Sequence, residues 1–202
     1  MDKKIEELNS RQKQALDTKW HIFNVAMSIF QKKRFDEVTV NEICRAAGVS
    51  TGAFYHHYPS KEHLLLEEYN LVNKLVWSST DILMETDPIE RLIEYVGMYA
   101  ESAEDATLEI VTEVYRVWLT LRTGFPLSFE DGVLSGMLGL VEEAQMSSKL
   151  DPELDSKQFA LDILTITRGT IYHWCQMNGS FSVKEKAVQM VRPFIEYHLV
   201  SK

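Results

Sequence analysis

Cysteine and long apolar runs are scarce in this sequence, and each shortage excludes a class of protein. The two cysteines, Cys44 and Cys175, lie far apart and match no paired-cysteine spacing, so neither a disulfide framework nor a zinc module is indicated. No run of about 18 apolar residues predicts a membrane span, and the polar N-terminus lacks the apolar segment of a secretory signal. We therefore expect a cytoplasmic protein without a membrane partner.

Strand-like alternation of apolar and polar residues is also missing. Apolar residues instead recur at the helical period in nearly every segment, which predicts an all-α protein. The 202 residues suffice for one large domain or for a small domain joined to a larger one. No internal repeat or low-complexity linker divides the chain.

Positive charge is in deficit, since the formal net charge is −9. The deficit is uneven, because residues 1–62 carry ten Lys/Arg and eight Asp/Glu whereas residues 63–202 carry 11 and 22. A nucleic-acid partner requires local positive charge. A mildly basic head on an acidic body fits a DNA-binding module joined to a regulatory domain, although solvated helix faces produce part of the same asymmetry.

The stretch between Thr39 and Ser60 predicts two short helices joined by a tight turn. Thr39 is placed to cap the first helix, with Glu42 as its capping-box partner. Gly48 supplies a left-handed residue that ends this helix, and Ser50 caps the next one. A helix-turn-helix places its second helix in the major groove of DNA, but an ordinary helical corner uses the same small residues. Composition alone favours neither interpretation.

The second helix of this pair, from about Thr51 to His57, has two different faces. Phe54, His57 and Tyr58 fall on one side and are expected to pack inward. The other side carries short or polar-tipped residues, namely Thr51, Gly52, Ala53, Tyr55 and His56. Such a face lets a helix backbone approach base edges and phosphates.

Metal binding and catalysis are weaker interpretations of the same region. His56, His57 and His63 are candidate metal ligands, but the first two are adjacent and point to different sides of a helix. The sequence contains no nucleophile elbow, phosphate loop or His-Glu-x-x-His motif. We therefore predict no catalytic residue, no metal and no cofactor.

Three groups of residues between about Lys19 and Leu65 form a familiar pattern. They are "A…IF" in the first helix, then "F…TV…I…AGVS", and then "G.FY.HYPSKE.LL". In these positions the chain resembles the N-terminal domain of TetR/AcrR family transcriptional regulators. The resemblance implies a three-helix helix-turn-helix DNA-binding domain over residues 1–64, with residues 1–16 as a flexible arm. A larger helical ligand-binding and dimerisation domain is implied over residues 65–202.

The resemblance also implies a set of DNA contacts. Thr39 matches a phosphate-binding hydroxyl, Asn41 a base or backbone contact, and Lys61 a phosphate-contacting lysine. The groove-facing residues are implied to be Thr51, Gly52, Ala53, Tyr55 and His56. Tyr55 is the expected phosphate anchor, and His57 a partly buried support.

One position departs from the family pattern. The family usually has glycine at the end of the first helix, where this chain has Arg34. A residue other than glycine in a left-handed conformation costs about 1 kcal/mol. The turn at Arg34 is therefore expected to be strained or to have a different shape.

Aromatic residues of the acidic body lie in the segments that form the ligand cavity of the family. They are Trp77, Tyr95, Tyr99, Tyr115, Trp118, Phe125 and Phe129. Each is as readily an ordinary core residue. As a group they predict a cavity for an apolar or amphipathic small molecule, because ligand cavities are apolar with a few polar tips.

The last two long helices, within residues of about 155–199, carry apolar stripes. These stripes must be covered by the rest of the body or by a second copy of the chain. The family pairs these helices into a four-helix bundle, which implies a homodimer on a palindromic double-stranded operator. We expect a repressor released by its ligand. The alternative is a helical ligand-binding or protein-interaction module that no longer reads DNA.

Overall fold

The computed structural model describes residues 10–80, 83, 87–121, 129–130 and 132–200. In this part of the chain there are nine helices and no strand, so the all-α prediction is confirmed. None of these helices combines the length and apolarity that crossing a bilayer would need. The helices are α1 (Ser10–Phe30), α2 (Val40–Ala47), α3 (Thr51–His57), α4 (Glu62–Ser78), α5 (Pro88–Asp105), α6 (Leu108–Leu121), α7 (Val133–Met146), α8 (Ser156–Gln176) and α9 (Val183–Glu196).

The chain divides into two compact units, the first ending at Glu67 and the second beginning at Glu68. The boundary falls inside α4, which runs without interruption from Glu62 to Ser78. The first unit therefore contains α1 to α3 and the beginning of α4. The second unit contains the rest of α4 and the five helices that follow.

Local capping interactions define α2 and α3, as the sequence predicts. The Thr39 hydroxyl accepts a hydrogen bond from the Glu42 backbone N–H at 3.2 Å. Gly48 adopts the left-handed conformation, with φ at 65°, and ends α2. The Ser50 hydroxyl accepts a hydrogen bond from the Ala53 N–H at 3.1 Å and caps α3. Each of these groups satisfies or replaces a backbone partner that a helix end lacks.

The first helix and the turn that follows it differ from expectation. α1 begins at Ser10, so residues 10–16 of the predicted flexible arm are helical. Arg34 has φ −57° and ψ 137°, an ordinary extended conformation without the expected left-handed strain. A 3₁₀ turn over Phe35–Glu37 follows it. The different shape of this turn explains why glycine is not needed there.

The core of the first unit lies between α1, α2 and α3. Tyr58, just after α3, is 2% exposed, and its hydroxyl donates to the Lys19 carbonyl of α1 at 3.1 Å. The other buried side chains of these helices are apolar: Ile22, Phe23, Ala26, Phe30, Ile43, Cys44, Ala47 and Phe54. Burial of one apolar face on each short helix holds the helix-turn-helix in place.

In the second unit, α5 packs most extensively against α9, and also against α7 and α8. The approach of α5 and α7 is close, because a Cβ added at Gly136 would lie 2.2 Å from the Tyr95 hydroxyl oxygen. The Tyr95 hydroxyl also donates to the Val133 carbonyl at 3.3 Å. These two helices therefore lie at contact distance with no space between them.

The apolar stripes of α8 and α9 are covered largely by the protomer itself. Seven of their residues belong to the core of the second unit: Phe159, Ile163, Trp174, Val183, Ala187, Val191 and Ile195. Met190, which follows the same stripe in sequence, is 49% exposed. Most of each stripe is therefore covered by the rest of the second unit and not by a second copy of the chain.

Candidate DNA interface and ligand cavity

The α3 helix presents one face to solvent and the other to the core. Tyr55 is 56% exposed, whereas Phe54 is fully buried beneath it. The Tyr55 ring packs edge-on against the Phe54 ring, with 5.4 Å between the ring centres. Thr51, Gly52 and His56 are exposed, and Ala53 is half-buried. Four of the five residues proposed to face the groove are therefore exposed along this short helix, and Ala53 is half-buried among them.

Two further predicted contacts lie at the start of α2. Thr39 and Asn41 are both exposed. The Thr39 hydroxyl accepts the N-cap hydrogen bond of α2, which fixes its direction and leaves its proton available to a phosphate oxygen. Arg45, on the last turn of α2, is a further exposed cation that the sequence pattern did not single out.

Lys61 makes structural contacts within the first unit. Its ammonium donates to the Phe35 carbonyl at 2.7 Å and to the Val38 carbonyl at 2.8 Å. It also lies 4.4 Å from the centre of the Phe35 ring. These contacts hold the turn before α2 and place a positive charge there, while two of the three N–H donors already have partners.

His57 is half-buried, next to the exposed His56. Burial, and then the charges of His56 and Lys19, lower the pKa of His57 below its ordinary value. The neutral imidazole is therefore favoured, and His57 supplies little positive charge to this surface near neutral pH. This position matches the supporting role that the resemblance implies.

The second unit contains a cavity of about 50 Å³. It is lined by side chains of α4, α5, α6 and α8 and of the turn after α5, namely Tyr69, Val72, Asn73, Tyr99, Ser102, Ala103, Ala106, Ile110, Val111, Val114, Tyr115 and Ile171. Most of this lining is apolar, with a few tyrosine, serine and asparagine groups. The composition is typical of a small-molecule site.

Of the predicted aromatic residues that the structure describes, Tyr99 and Tyr115 line this cavity. Tyr95, one helical turn before Tyr99, is fully buried in the α5–α7 contact. Trp118 is buried and packs edge-on against Tyr69, with 5.9 Å between ring centres. The structure therefore places Tyr95 in the core and Trp118 behind the cavity wall.

The remaining predicted aromatics lie elsewhere. Trp77, near the end of α4, is 38% exposed. Phe129 is 37% exposed, and the Lys157 ammonium lies 5.6 Å from its ring centre. Phe125 lies outside the described residues.

A cluster of polar groups borders the cavity. The Arg168 guanidinium of α8 donates from Nη2 to the Tyr69 hydroxyl at 2.7 Å and from Nε to the Tyr99 hydroxyl at 3.2 Å. The two hydroxyls are 3.2 Å apart. The Tyr115 hydroxyl donates to the Arg168 carbonyl at 2.9 Å. Burial, and then the neighbouring Tyr99, raise the pKa of both Tyr69 and Tyr115, so both hydroxyls keep their protons at neutral pH.

Neither Tyr69 nor Arg168 was singled out by the sequence. They lie 99 positions apart, and helical periodicity carries no information on such a distant pair. One feature of the sequence could have indicated Arg168. It is a single arginine in the largely apolar and threonine-rich stretch around Thr167 and Thr170 of α8. A charged residue at such a position is unusual unless it has polar partners.

Known proteins resemble this chain in both of its units. The sequence profile described as "Bacterial regulatory proteins, tetR family" matches residues 22–67. The HTH-type transcriptional regulator AcrR of Shigella flexneri is 25% identical over 209 residues, which cover 93% of this chain and 92% of AcrR. Two solved structures share the fold over most of the chain.

One of these structures is Thermus thermophilus FadR, a TetR family transcriptional repressor in complex with lauroyl-CoA. It is 20% identical with a TM-score of 0.71, over 91% of this chain and 96% of FadR. The other is a TetR-family regulator of Pectobacterium atrosepticum, 18% identical with a TM-score of 0.74, over 94% of this chain and 98% of that one.

The match to the family profile falls on the helix-turn-helix, and the structural similarity extends through the cavity-containing unit. TetR family regulators are ligand-responsive DNA-binding repressors, generally without enzymatic activity. The exposed face of α3 and the apolar cavity are the two sites that such a regulator needs. The chain is therefore similar to TetR family transcriptional regulators, whose profile it matches over residues 22–67 and whose fold it shares over most of its length.

Proposed function

We propose that the protein is a homodimeric repressor that binds a palindromic operator in the cytoplasm and is released from it by an apolar or amphipathic small molecule. The observation that carries the proposal is the exposed face of α3, where Thr51, Gly52, Tyr55 and His56 are accessible above the buried Phe54. The match of residues 22–67 to the TetR family profile supports a DNA-binding role for this face.

The chemistry of this face suits double-stranded DNA. Thr51 and Gly52 leave the start of the helix narrow, so its backbone can approach base edges in the major groove. The Tyr55 hydroxyl and the free N–H groups at the beginning of α3 are donors for phosphate oxygens. Thr39, Asn41 and Arg45 would contact the DNA backbone beside them.

The outer faces of α8 and α9 support dimerisation. On α8 an exposed or half-buried stripe repeats with spacings of four and three residues, through Gln158, Asp162, Thr165, Gly169, Tyr172 and Gln176. On α9 the same spacing links Lys186, Met190, Pro193 and Tyr197. Tyr172 and Met190 are large apolar side chains on these faces that are 42% and 49% exposed, and a second copy of the chain would cover them. We propose that these stripes, and not the buried apolar ones, meet in a twofold dimer.

The ligand response would pass through α4. Tyr69, Val72 and Asn73 of this helix line the cavity, and the same helix begins at Glu62 in the first unit. A ligand that binds better when α4 is displaced lowers operator affinity by the difference between its affinities for the two states. The complex of FadR with lauroyl-CoA suggests that an acyl-like apolar group is a reasonable type of ligand for this fold.

Fluorescence anisotropy with the DNA upstream of the gene tests operator binding. Tyr55→Phe keeps the ring that packs on Phe54 and removes only the hydroxyl, so affinity is expected to fall on the order of tenfold at unchanged stability. Thr51→Val removes a second donor of the same surface. Thr18→Val is the matched control, because the Thr18 hydroxyl donates to the Gln14 carbonyl within α1.

Equal operator affinity of Tyr55→Phe, Thr51→Val and Thr18→Val would contradict the proposed interface. Absence of sequence-specific binding by the wild-type protein would favour the alternative, a helical ligand-binding or protein-interaction module. Sedimentation of Tyr172→Glu tests the dimer separately, since a buried charge in the paired stripe should shift the protein towards a monomer.

A further inference from the structure

The boundary between the two units falls inside α4, and a polar side chain of this helix is held on each side of it. Glu67 is the last residue of the first unit, and Tyr69 is the second residue of the second unit. Each residue of an α-helix turns by about 100°, so side chains two positions apart point to nearly opposite faces. α4 is therefore held on two faces within less than one helical turn.

Glu67 ties α4 to α1. The Lys19 ammonium of α1 donates to the Glu67 carboxylate at 2.8 Å, and the two side chains are 29% and 28% exposed. Lys19 is itself held, because its carbonyl accepts from the Tyr58 hydroxyl at 3.1 Å and its ammonium lies 5.6 Å from the Tyr58 ring centre. A half-buried ion pair is screened less by salt than an exposed one, so this contact fixes α4 against α1.

Tyr69 ties α4 to the cavity walls. Its hydroxyl accepts from Arg168 Nη2 of α8 at 2.7 Å and lies 3.2 Å from the Tyr99 hydroxyl of α5. Its side chain also shares a hydrogen bond with Asn73, and its ring packs edge-on against Trp118 of α6. A movement of α4 at this point must break or rearrange the charge-assisted hydrogen bond to Arg168.

The same tyrosine lines the cavity, together with Val72 and Asn73 of α4. A molecule that enters the space beside Tyr69 therefore acts on the side chain that holds α4 in place. The helix continues without interruption from Tyr69 back to Glu67, so a displacement at one reaches the other through the hydrogen-bonded backbone.

We infer that Tyr69 is a positioning residue for operator binding: held by Arg168, it sets the position of α4, and the Lys19–Glu67 ion pair passes that position to the helix-turn-helix. The inference rests on the proposed function, because it assigns the coupling between the cavity and the DNA-binding surface to named residues. Tyr69 belongs to the second unit, so it acts on the operator through α4 and not by contact.

Fluorescence anisotropy with the DNA upstream of the gene, without added ligand, tests this role. Tyr69→Phe keeps the ring and removes the hydroxyl that bonds Arg168 and Tyr99. α4 then occupies more positions, and operator affinity should fall about threefold to tenfold, because apparent affinity scales with the competent fraction. Tyr95→Phe is the matched control, since it removes a buried hydroxyl that joins α5 to α7, and should bind the operator as the wild type does.

Glu67→Gln tests the other side of the boundary and keeps the inference falsifiable if Tyr69→Phe does not fold. It keeps the shape of the side chain and removes the charge that pairs with Lys19, so operator affinity should again fall. Glu113→Gln makes the same change in net charge at a glutamate that pairs with Arg116 within α6, and should leave affinity unchanged. Because both changes act on one helix, the double variant Glu67→Gln, Tyr69→Phe should lose less affinity than the product of the single losses.

Wild-type operator affinity in both Tyr69→Phe and Glu67→Gln would overturn the inference and leave the regulator standing. Equal losses in Tyr69→Phe and Tyr95→Phe would also overturn it, since operator affinity would then follow the general stability of the second unit. If the wild-type protein itself shows no sequence-specific DNA binding, the proposed function fails.

Discussion

The two units use their polar residues in opposite ways. In the first unit the side chains proposed to bind DNA point outward from a small core, and Tyr55 lies exposed above the buried Phe54. In the second unit Tyr69, Tyr99 and Arg168 turn inward and meet beside a cavity. An outward surface recognises a large rigid partner such as DNA, whereas an inward cluster recognises a small molecule that can be surrounded.

This difference has an energetic consequence. An exposed donor such as Tyr55 is solvated in the free protein, so its removal should affect binding and leave folding almost unchanged. A buried donor such as Arg168 contributes to both, because its partners lose a hydrogen bond away from water. Stability and binding should therefore be separable in the first unit and coupled in the second.

The largest expected difference between the units appears at alkaline pH. Burial raises the pKa of Tyr69, Tyr95 and Tyr115 in the second unit and of Tyr58 in the first. The stabilisation from a raised tyrosine pKa is complete below the ordinary value of about 10 and is lost as pH rises, because the unfolded chain then ionises first. For the fully buried Tyr95 the loss approaches about 1.4 kcal/mol per pH unit.

Urea unfolding at about pH 9 and about pH 11 measures this loss, with Tyr95→Phe as the comparison. The variant should be less stable near neutral pH, because the hydrogen bond to Val133 is absent, but its stability should fall less steeply with pH. Parallel pH profiles of the two proteins would show that Tyr95 ionises as easily in the folded state as in the unfolded one.

Close packing should make the second unit sensitive to a single methyl group. Gly136→Ala places a Cβ against the buried Tyr95 ring and should lower the free energy of unfolding by about 1–3 kcal/mol. Gly139→Ala, on the same helix, meets nothing within 4 Å and should raise it by about 0.5–1 kcal/mol. Urea denaturation of the two variants checks the signs, and the same sign for both would contradict the close contact.

Removal of a helix cap should have a smaller effect on stability, and each unit contains a cap that can be compared. Ser50 caps α3, and Asp155 caps α8 through hydrogen bonds from the Lys157 and Gln158 N–H groups. Ser50→Ala and Asp155→Ala should each cost about 1 kcal/mol of stability. Only Ser50→Ala should also weaken operator binding in an anisotropy titration. An equal loss of DNA affinity in both variants would mean that the operator senses general stability and not the start of α3.

Gly52→Ala should change the free energy of unfolding least of these variants. It should also separate folding from binding most clearly, because stability and operator affinity are expected to change in opposite directions. The nearest atom to the added Cβ is the Ser50 hydroxyl oxygen at 3.8 Å, an ordinary contact. Stability should therefore rise by up to about 1 kcal/mol, the helix preference for alanine. Operator affinity should fall, because the methyl group occupies space that the DNA would fill. Unchanged affinity would place the α3 backbone farther from the groove.

Sequence reasoning succeeded where structure is local. The roles of Thr39, Gly48 and Ser50 were predicted and are confirmed, because a cap or a left-handed turn depends on a few adjacent residues. The two faces of α3 follow from periodicity in the same way. Arg34 shows the limit, since the resemblance alone did not specify the shape of its turn.

The cavity could not be predicted to the same depth. Tyr95 and Tyr99 differ by one helical turn, yet one fills the α5–α7 contact and the other lines the cavity. Which of them faces empty space depends on Gly136, a residue distant in sequence. Periodicity also located the apolar stripes of α8 and α9 without revealing that the same protomer covers most of them.

The contact between Gly136 and Tyr95 also sets the direction in which the cavity can grow. α5 lies against α7 at this point and close to α9 at Gly97, where an added Cβ would be 3.4 Å from the Val188 side chain. Both contacts leave α5 no room to move towards α7 or α9, because a densely packed interior resists compression. A ligand larger than the space between the helices would therefore displace the other walls, and α4 is the wall that begins in the first unit.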